Sequence, residues 1–357
     1  MKRYGNLYDE ICNLENLYKS LQVCLRGKRL SRTVLPFTYD LSREMAAIQK
    51  ELASDTYRVS SYYSFYVLEP KRRLVQALPF RDRIVQQALC QVINPIFENT
   101  FIKDSYACIA GRGTHAGSQA FQLYMRRSEA RYGKAYCLQC DIASYFASID
   151  HGTLLGLIER KIKCRRTLSL IRKITDSNGE RVGIPIGNLL SQLSANIYLN
   201  ALDHYVKERL KVRYYVRYMD DFCILHGSKA YLQYLKADIE NFLEHHLYLS
   251  LNRKTSIYPT SQGADFLGYR TWTTHKLLRK RSVKKMRRKL KAMCAKYEAG
   301  VIKLNKLNET IQSWTAHARH ADTYGLRSRM FAAISLRVAR GNGNSSTPNL
   351  PNQPFAQ

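Results

Sequence analysis

The sequence predicts an α+β protein, in which a small antiparallel sheet is backed by helices and followed by an all-helical module. Three observations predict this fold class. An apolar run at 135–140 has the composition of a buried strand, two hydrophobic runs within 212–225 meet at an acidic pair, and residues 276–340 contain many helix formers and no proline. The 357 residues suffice for a sizeable core and for more than one domain.

Three segments are predicted to supply strands. Residues 135–140 contain Cys137 and Cys140, which point to opposite faces of a strand, so this CxxC pair is interpreted as structural and not as a zinc site. Residues 212–225 are rich in Val, Tyr, Phe and Ile and predict a β-hairpin that turns at the acidic pair. A further hairpin is predicted over 174–186, turning at Asp-Ser-Asn-Gly.

Helices are predicted on either side of these strands. Apolar residues recur at helical spacing over 193–210 and 230–247. Residues 1–35 have the pattern of an amphipathic N-terminal helical extension, for which packing on the protein body is weighed against binding an accessory protein or RNA. Residues 273–340 are expected to form the basic helical module, and 341–357, mostly Gly, Asn, Ser, Pro and Gln, a disordered tail.

The charge balance points to a polyanionic partner. Lys and Arg number 57 against 28 acids, a net charge of +29, which favours nucleic acid first and an anionic membrane surface second. The 45% of hydrophobic residues excludes a mainly disordered basic protein. No apolar window predicts a membrane span or a signal core, and nine scattered cysteines fit a reducing compartment, so we expect a cytoplasmic protein without a membrane partner.

Three acids stand out within this basic chain. Asp141 ends the apolar strand, and Asp220 and Asp221 form the hairpin tip. Adjacent carboxylates repel each other unless a cation neutralises them, and Mg²⁺ prefers oxygen ligands. Two metal ions about 4 Å apart stabilise the attacking and leaving oxygens of a phosphoryl transfer. An ordinary Asx turn is the alternative, but the hydrophobic strands around all three acids make it the weaker explanation.

The motifs around these acids resemble those of reverse transcriptases, in the family's order over roughly residues 65–270. An isolated YMDD sequence is a weak signal, whereas several motifs in order are a strong one. The matching segments are PKRRL at 70–74 with FRDR at 80–83, DSYA at 104–107 with GRGTH at 111–115, DIASYF at 141–146, IGNLLSQ at 186–192, YMDD at 218–221, LNRK at 251–254 and FLG at 266–268.

The resemblance implies a right-hand polymerase architecture. Residues 36–272 would form the fingers and palm, with the antiparallel sheet in the palm, and 273–340 the helical thumb. The activity implied is RNA-directed DNA polymerisation on a template RNA and a cDNA/RNA duplex with deoxynucleoside triphosphates. The implied cofactor is a pair of Mg²⁺ ions, with Mn²⁺ as a substitute.

Site residues follow from the same motifs. Asp141, Asp220, Asp221 and the backbone carbonyl of Ile142 are expected to hold the metal ions, and Lys254 resembles a general acid near the leaving pyrophosphate, with an exposed surface lysine as the alternative. The basic run at 71–73 is expected to grip the triphosphate, against the alternative of a solvated loop. Its members are Lys71, Arg72 and Arg73.

Further positions are expected to shape the nucleotide and primer sites. Phe146 falls where the family carries an aromatic gate against a ribose 2′-hydroxyl, and it also suits a core position. The primer and template contacts are expected from four residues. They are Arg112, Phe266, Leu267 and Gly268.

The IGNLLSQ segment is similar to that of reverse transcriptases from diversity-generating retroelements. At this place the group II intron and retroviral enzymes carry a sequence that resembles QGxxxSP. This chain departs from that sequence at Ile186 and Gln192. Ile186 offers shape but no hydrogen bond near the incoming nucleotide, and we therefore predict looser base selection. The resemblance implies a bacterial or phage enzyme that copies a template-repeat RNA with errors at adenine and works with a small basic pentameric accessory protein.

Two alternatives remain open at this point. The chain resembles other bacterial reverse transcriptases as well, such as retron, defence-associated or group II intron-like enzymes, although IGNLLSQ disfavours the intron type. A polymerase-derived RNA-binding scaffold without catalysis is the third possibility. The presence of Asp141, Asp220 and Asp221 argues against such a scaffold.

Overall fold

The computed structural model describes residues 2–68 and 72–332, and the chain divides into two compact units at the Leu267–Gly268 bond. The α+β fold is confirmed, because antiparallel sheets and helices make up the first unit. The tail at 341–357 and the last residues of the helical module, from 333, lie outside the described residues.

The first unit combines helices with seven strands in the described residues. Its helices are α1 (Tyr8–Cys12), α2 (Leu14–Leu25), α3 (Leu35–Tyr39), α4 (Leu41–Ala53), α5 (Phe80–Glu98), α6 (Thr114–Tyr132), α7 (His151–Glu159), α8 (Arg165–Thr175), α9 (Leu189–His204) and α10 (Lys229–Leu247). Its strands are β1 (Tyr63–Val67), β2 (Arg73–Ala77), β3 (Tyr136–Asp141), β4 (Tyr215–Tyr218), β5 (Asp221–His226), β6 (Ser256–Pro259) and β7 (Ala264–Phe266).

The central sheet has the strand order β4-β5-β3-β6, and each pair of neighbouring strands in it is antiparallel. Its two faces belong to two different core clusters. Cys140 packs in the large cluster with residues of α9 and α10, whereas Cys137 packs with Phe121 and Met125 of α6. Both cysteines are fully buried on opposite faces, as the strand periodicity predicted. The sheet is therefore covered on both sides and holds its strand ends in a fixed register.

The N-terminal segment forms two short helices instead of one long one. Asn13 ends α1 and caps α2, since its side chain accepts a hydrogen bond from the Glu15 backbone N–H at 2.8 Å. Leu17 and Leu21 of α2 are fully buried in the same core cluster as residues of α5. This segment therefore packs on the body of the first unit.

The hairpin predicted over 174–186 is wrong. Helix α8 runs to Thr175, a 3₁₀ turn covers Asp176–Asn178, and Gly179 ends the helix with φ of 80°. The Asp-Ser-Asn-Gly sequence acts as a helix stop, because a glycine in the left-handed region caps helices as readily as it turns hairpins. Beyond it, Val182 forms only an isolated bridge with Asp150.

The second unit begins with a small antiparallel hairpin and continues as helices. Its elements are β8 (Tyr269–Thr271), β9 (Lys276–Leu278), α11 (Lys280–Glu298), α12 (Leu304–Ala318) and α13 (Tyr324–Ala332). Met286, Leu290, Leu307 and Met330 form one core cluster of this unit. Within the described residues, no helix combines the length and the apolar character that a bilayer crossing needs.

Candidate active site

Two carboxylates face each other at the end of the central sheet. Asp141 is the last residue of β3 and Asp221 the first of β5, and the two are directly paired in the antiparallel register. Directly opposed residues project to the same face of a sheet. Asp220 lies next to them in the turn between β4 and β5, and all three residues are half-buried. The strand register thus brings the three predicted acids to one edge.

The turn that carries Asp220 has an unusual backbone. It contains only Met219 and Asp220, and Met219 has φ of 57° in the left-handed region that favours glycine. Two hydrogen bonds hold the turn: Arg217 Nη1 donates to the Met219 carbonyl at 3.0 Å, and the Ile142 backbone N–H donates to the Asp220 carbonyl at 3.3 Å. Strained backbone persists where its surroundings over-determine it, as they do here.

A buried ion pair anchors this turn. The Arg217 guanidinium makes two hydrogen bonds to the Asp203 carboxylate of α9, at 2.7 and 2.6 Å, and both side chains are fully buried. Burial acts to lower the pKa of Arg217, but the Asp203 carboxylate outweighs it and the pKa is raised, so the guanidinium stays charged. Tyr215 donates a further hydrogen bond to Asp203. The turn that carries Asp220 is therefore tied to helix α9.

Asn252 contacts Asp141, and the sequence analysis did not predict this contact. Its side-chain amide donates to Asp141 Oδ2 at 3.0 Å, and its backbone N–H donates to the Asp141 carbonyl at 2.7 Å. Asn252 belongs to the LNRK segment, whose Lys254 had drawn attention instead. Lys254 itself is exposed, and its backbone N–H donates to Asn252 Oδ1 at 3.1 Å.

The donor chemistry of this edge fits a hard divalent cation. Asp141 and Asp221 are paired at the strand ends and Asp220 lies in the adjoining turn, and their carboxylates are the oxygen ligands that such a cation prefers. Among residues 2–68 and 72–332, no three His, Cys, Asp or Glu side chains converge as a ready-made metal cage. The Ile142 side chain is buried while its backbone N–H bonds the turn.

The IGNLLSQ segment lies against the hairpin formed by β1 and β2. The Ile186 carbonyl accepts a hydrogen bond from the Gln76 N–H of β2 at 3.0 Å, and Ile186 is half-buried. Gly187 has φ of 124°, and a Cβ there would lie 3.0 Å from the Gln76 carbonyl oxygen. Gln86 of α5 accepts from the first backbone N–H groups of α9 at 3.1 and 3.3 Å. Gln192 is exposed inside α9, so it does not lie on the same loop as Ile186.

Two of the three predicted triphosphate residues, Arg72 and Arg73, lie on the exposed β1–β2 hairpin. Arg73 is exposed on β2, and the Arg72 guanidinium lies over the Tyr66 ring at 4.1 Å from its centroid. Lys71 lies outside the described residues. Phe146 is half-buried in the 3₁₀ turn that follows β3, with its ring 5.6 Å from that of Tyr145.

The residues predicted to contact primer and template have other roles in the described contacts. Arg112 Nη1 donates to the Ile102 and Ser105 carbonyls at 2.6 and 2.8 Å, which folds its own loop. Phe266 is buried, with its ring 5.1 Å from that of Phe121. The remaining two residues, Leu267 and Gly268, lie on either side of the boundary between the units. Leu267 packs against the core cluster that contains Phe121 and Phe266, and Gly268 has φ of 91°.

Comparison with known proteins identifies the family. Residues 69–271 match reverse transcriptase (RNA-dependent DNA polymerase), which is more than half of the chain. The chain belongs to the reverse transcriptase family. Its enzyme class is therefore RNA-directed DNA polymerase, and the palm motifs predicted from the sequence fall inside the matched segment.

Individual relatives resemble the chain at moderate identity. Protein YkfC of Escherichia coli K12 is 29% identical over 287 residues, covering 68% of this chain and 73% of YkfC. The group II intron-encoded protein LtrA of Lactococcus lactis subsp. cremoris is 26% identical over 332 residues, covering 71% of this chain and 53% of LtrA. The chain thus spans about half the length of LtrA. Among solved structures, apo telomerase from Candida tropicalis has a TM-score of 0.46 at 11% identity, covering 62% of this chain and 53% of the telomerase chain.

Proposed function

We propose that this chain polymerises deoxynucleotides on an RNA template, with Asp141, Asp220 and Asp221 holding two Mg²⁺ ions or Mn²⁺ in their place. The observation that carries the proposal is the pairing of Asp141 with Asp221 across β3 and β5, beside the strained turn of Asp220. The Ile142 carbonyl is proposed as a further oxygen ligand. When bound, the metal ions would stabilise the attacking and leaving oxygens of nucleotidyl transfer.

The chain's own residues are proposed to bind and orient the reactants. The hairpin residues Arg72 and Arg73, with Lys71, would hold the triphosphate, since guanidinium groups bind phosphates bidentately. Phe146 would exclude a ribose 2′-hydroxyl by contact with its ring edge. Lys254 is exposed, and its backbone is hydrogen-bonded to Asn252, which in turn contacts Asp141. Lys254 would donate a proton to the leaving pyrophosphate.

The larger divisions of the chain are proposed to follow the family's architecture. Residues 36–272 would form fingers and palm, and 1–35 an N-terminal extension packed on them. Residues 273–340 would form a thumb that tracks the phosphates of the cDNA/RNA duplex with its lysines and arginines. Primer and template contacts by Arg112 and the 266–268 segment would be made through the backbone, since the described side chains of Arg112 and Phe266 are engaged internally.

Primer extension tests the proposal. The wild-type protein with Mg²⁺, a DNA primer, an RNA template and four deoxynucleoside triphosphates is expected to extend the primer, and Asp220→Ala is expected to lose at least about 10²-fold in rate. Asp238→Ala, on the outer helix α10, is the matched control and should extend normally. Equal extension by wild type and Asp220→Ala would contradict the catalytic role.

For the subtype, we propose a diversity-generating retroelement enzyme that works with a small basic pentameric accessory protein. The support is IGNLLSQ at 186–192, where Ile186 replaces a hydrogen-bonding Gln. A group II intron-like enzyme is the second candidate, favoured by the similarity to LtrA. Sequencing the cDNA copied from a defined RNA separates them: errors concentrated at template adenines favour the first, and uniformly rare errors the second.

A further inference from the structure

Asp141 and Asn252 are linked by two independent hydrogen bonds. The Asn252 side-chain amide donates to Asp141 Oδ2 at 3.0 Å, and the Asn252 backbone N–H donates to the Asp141 carbonyl at 2.7 Å. The orientation of the amide is set by a third contact, because the Lys254 backbone N–H can only donate and lies 3.1 Å from Asn252 Oδ1. The carbonyl end of the amide therefore faces Lys254 and the NH₂ end faces Asp141.

The backbone around Asn252 is held without its side chain. Ala143 N–H donates to the Ser250 carbonyl at 2.9 Å, and Ile142 forms an antiparallel bridge with Leu251. Together with the Asn252 N–H, these bonds join residues 250–252 to the end of β3. None of these backbone bonds involves the Asn252 amide group, so we expect its removal to leave this backbone pairing intact.

The Asp141 carboxylate needs such a partner because Asp221 lies directly opposite it. Like charges at this range repel, and an unrestrained Asp side chain would rotate away from the shared face. A donor on Oδ2 keeps the carboxylate in one rotamer and leaves Oδ1 and the remaining lone pair of Oδ2 for a cation. Hydrogen bonds to ligating carboxylates tune metal affinity in the same manner elsewhere.

We propose that Asn252 is a positioning residue that orients the Asp141 carboxylate for binding a divalent cation. The proposal rests on the proposed function, in which Asp141 is a metal ligand. Asn252 acts through Asp141, and it also shapes the turn that presents Lys254. The two roles are separable, because a serine hydroxyl can accept the Lys254 N–H as an ST turn but is too short to reach the Asp141 oxygen.

The test measures metal binding without nucleic acid. Titration of the full chain with Mn²⁺, followed by the electron paramagnetic resonance signal of free Mn²⁺, is expected to give about 10-fold weaker binding for both Asn252→Ala and Asn252→Ser than for the wild type. Asn241→Ala, exposed on α10, is the matched control and should bind Mn²⁺ as the wild type does. All three variants should melt within a few degrees of the wild type.

Kinetics give a second measure of the same effect. The Mg²⁺ concentration for half-maximal primer extension is expected to rise about 10-fold in Asn252→Ser, while the KM for deoxynucleotide at saturating Mg²⁺ stays unchanged. Weakened binding in Asn252→Ala alone would assign the effect to the Lys254 turn and overturn the proposal, as would wild-type Mn²⁺ binding by both variants. If Asp220→Ala abolishes extension while Asn252→Ser matches the wild type, only this inference fails and the proposed function stands.

Discussion

At the scale of the single residue, we predict that the Ile186 side chain affects base selection. Its backbone carbonyl is bonded to Gln76, so the residue is fixed against the β1–β2 hairpin while its side chain offers only shape. We expect Ile186→Gln to lower misincorporation opposite template adenine by about 3–10-fold, the value of one added hydrogen bond. The measurement is the error frequency of cDNA copied by the purified variant from a defined RNA. Unchanged misincorporation would remove Ile186 as the cause.

The sequence allowed us to predict candidate site residues that belong to a motif. It did not allow us to predict contacts between residues that are distant along the chain. Asp141, Asp220 and Asp221 stand out as scarce acids between hydrophobic strands. Asn252 did not, because it meets Asp141 across 111 positions in the sequence and no local periodicity signals such a contact. The internal bonds of Arg112 were missed for a similar reason, since a surface arginine and one that folds a loop look alike in sequence.

At the scale of the loop before α9, Gly187 is the position where the backbone leaves least room. A Cβ there would lie 3.0 Å from the Gln76 carbonyl oxygen at φ of 124°. We expect Gly187→Ala to lower the free energy of unfolding by about 1–3 kcal/mol. Gly156→Ala in α7, where a Cβ meets no atom within 4 Å, should instead be neutral or stabilising by up to about 1 kcal/mol. Thermal denaturation distinguishes them, and equal effects would contradict the contact.

At the scale of the β4–β5 hairpin, the fully buried Arg217–Asp203 ion pair is an electrostatic anchor. We expect Arg217→Met to destabilise the protein by about 3–5 kcal/mol in urea denaturation, because it leaves the Asp203 carboxylate buried and unpaired. Lys19→Met, which breaks an exposed pair with Glu15, should cost no more than about 1 kcal/mol. A small effect at Arg217 would show that the turn is held by its other contacts.

Among the elements, amphipathic helices and the acidic hairpin were predictable, and the 174–186 segment was not. Helix α10 follows from apolar residues that recur with a period of 3.6. The β4–β5 hairpin follows from two hydrophobic runs on either side of the acidic pair. The Asp-Ser-Asn-Gly turn was ambiguous, because the same residues end helices and turn hairpins. Packing favours helix α8, because it buries Leu170, Ile171 and Ile174. The turn residues alone give no sign of this packing.

At the scale of the whole molecule, the net charge of +29 predicts salt-dependent binding to nucleic acid. Helix α11 exposes Lys284, Arg288 and Lys291. We expect neutralising all three to glutamine to weaken duplex binding and to reduce the slope of log Kd against log salt by about one per lost phosphate contact. Fluorescence anisotropy with an RNA–DNA duplex gives both values. Lys19→Gln on α2 is the control, and an unchanged slope in the triple variant would contradict a duplex-binding helical module.

The sequence supported the overall class of fold, but the strand order β4-β5-β3-β6 depends on pairings between distant segments. Motif order identified the family because catalytic chemistry constrains residue types at fixed points along the chain. The proposed subtype depends on one short segment, 186–192, and the copying errors of the enzyme test it directly.

The central claim is that paired aspartates at the end of the sheet carry RNA-templated DNA synthesis. The most direct measurement is the single-turnover rate of adding one deoxynucleotide to a DNA primer on an RNA template with Mg²⁺, for the wild type and for Asp221→Asn. We expect addition by the wild type and a loss of about 10²–10³-fold in Asp221→Asn at unchanged duplex affinity. Equal rates in the two proteins, or no addition by the wild type, would contradict the account.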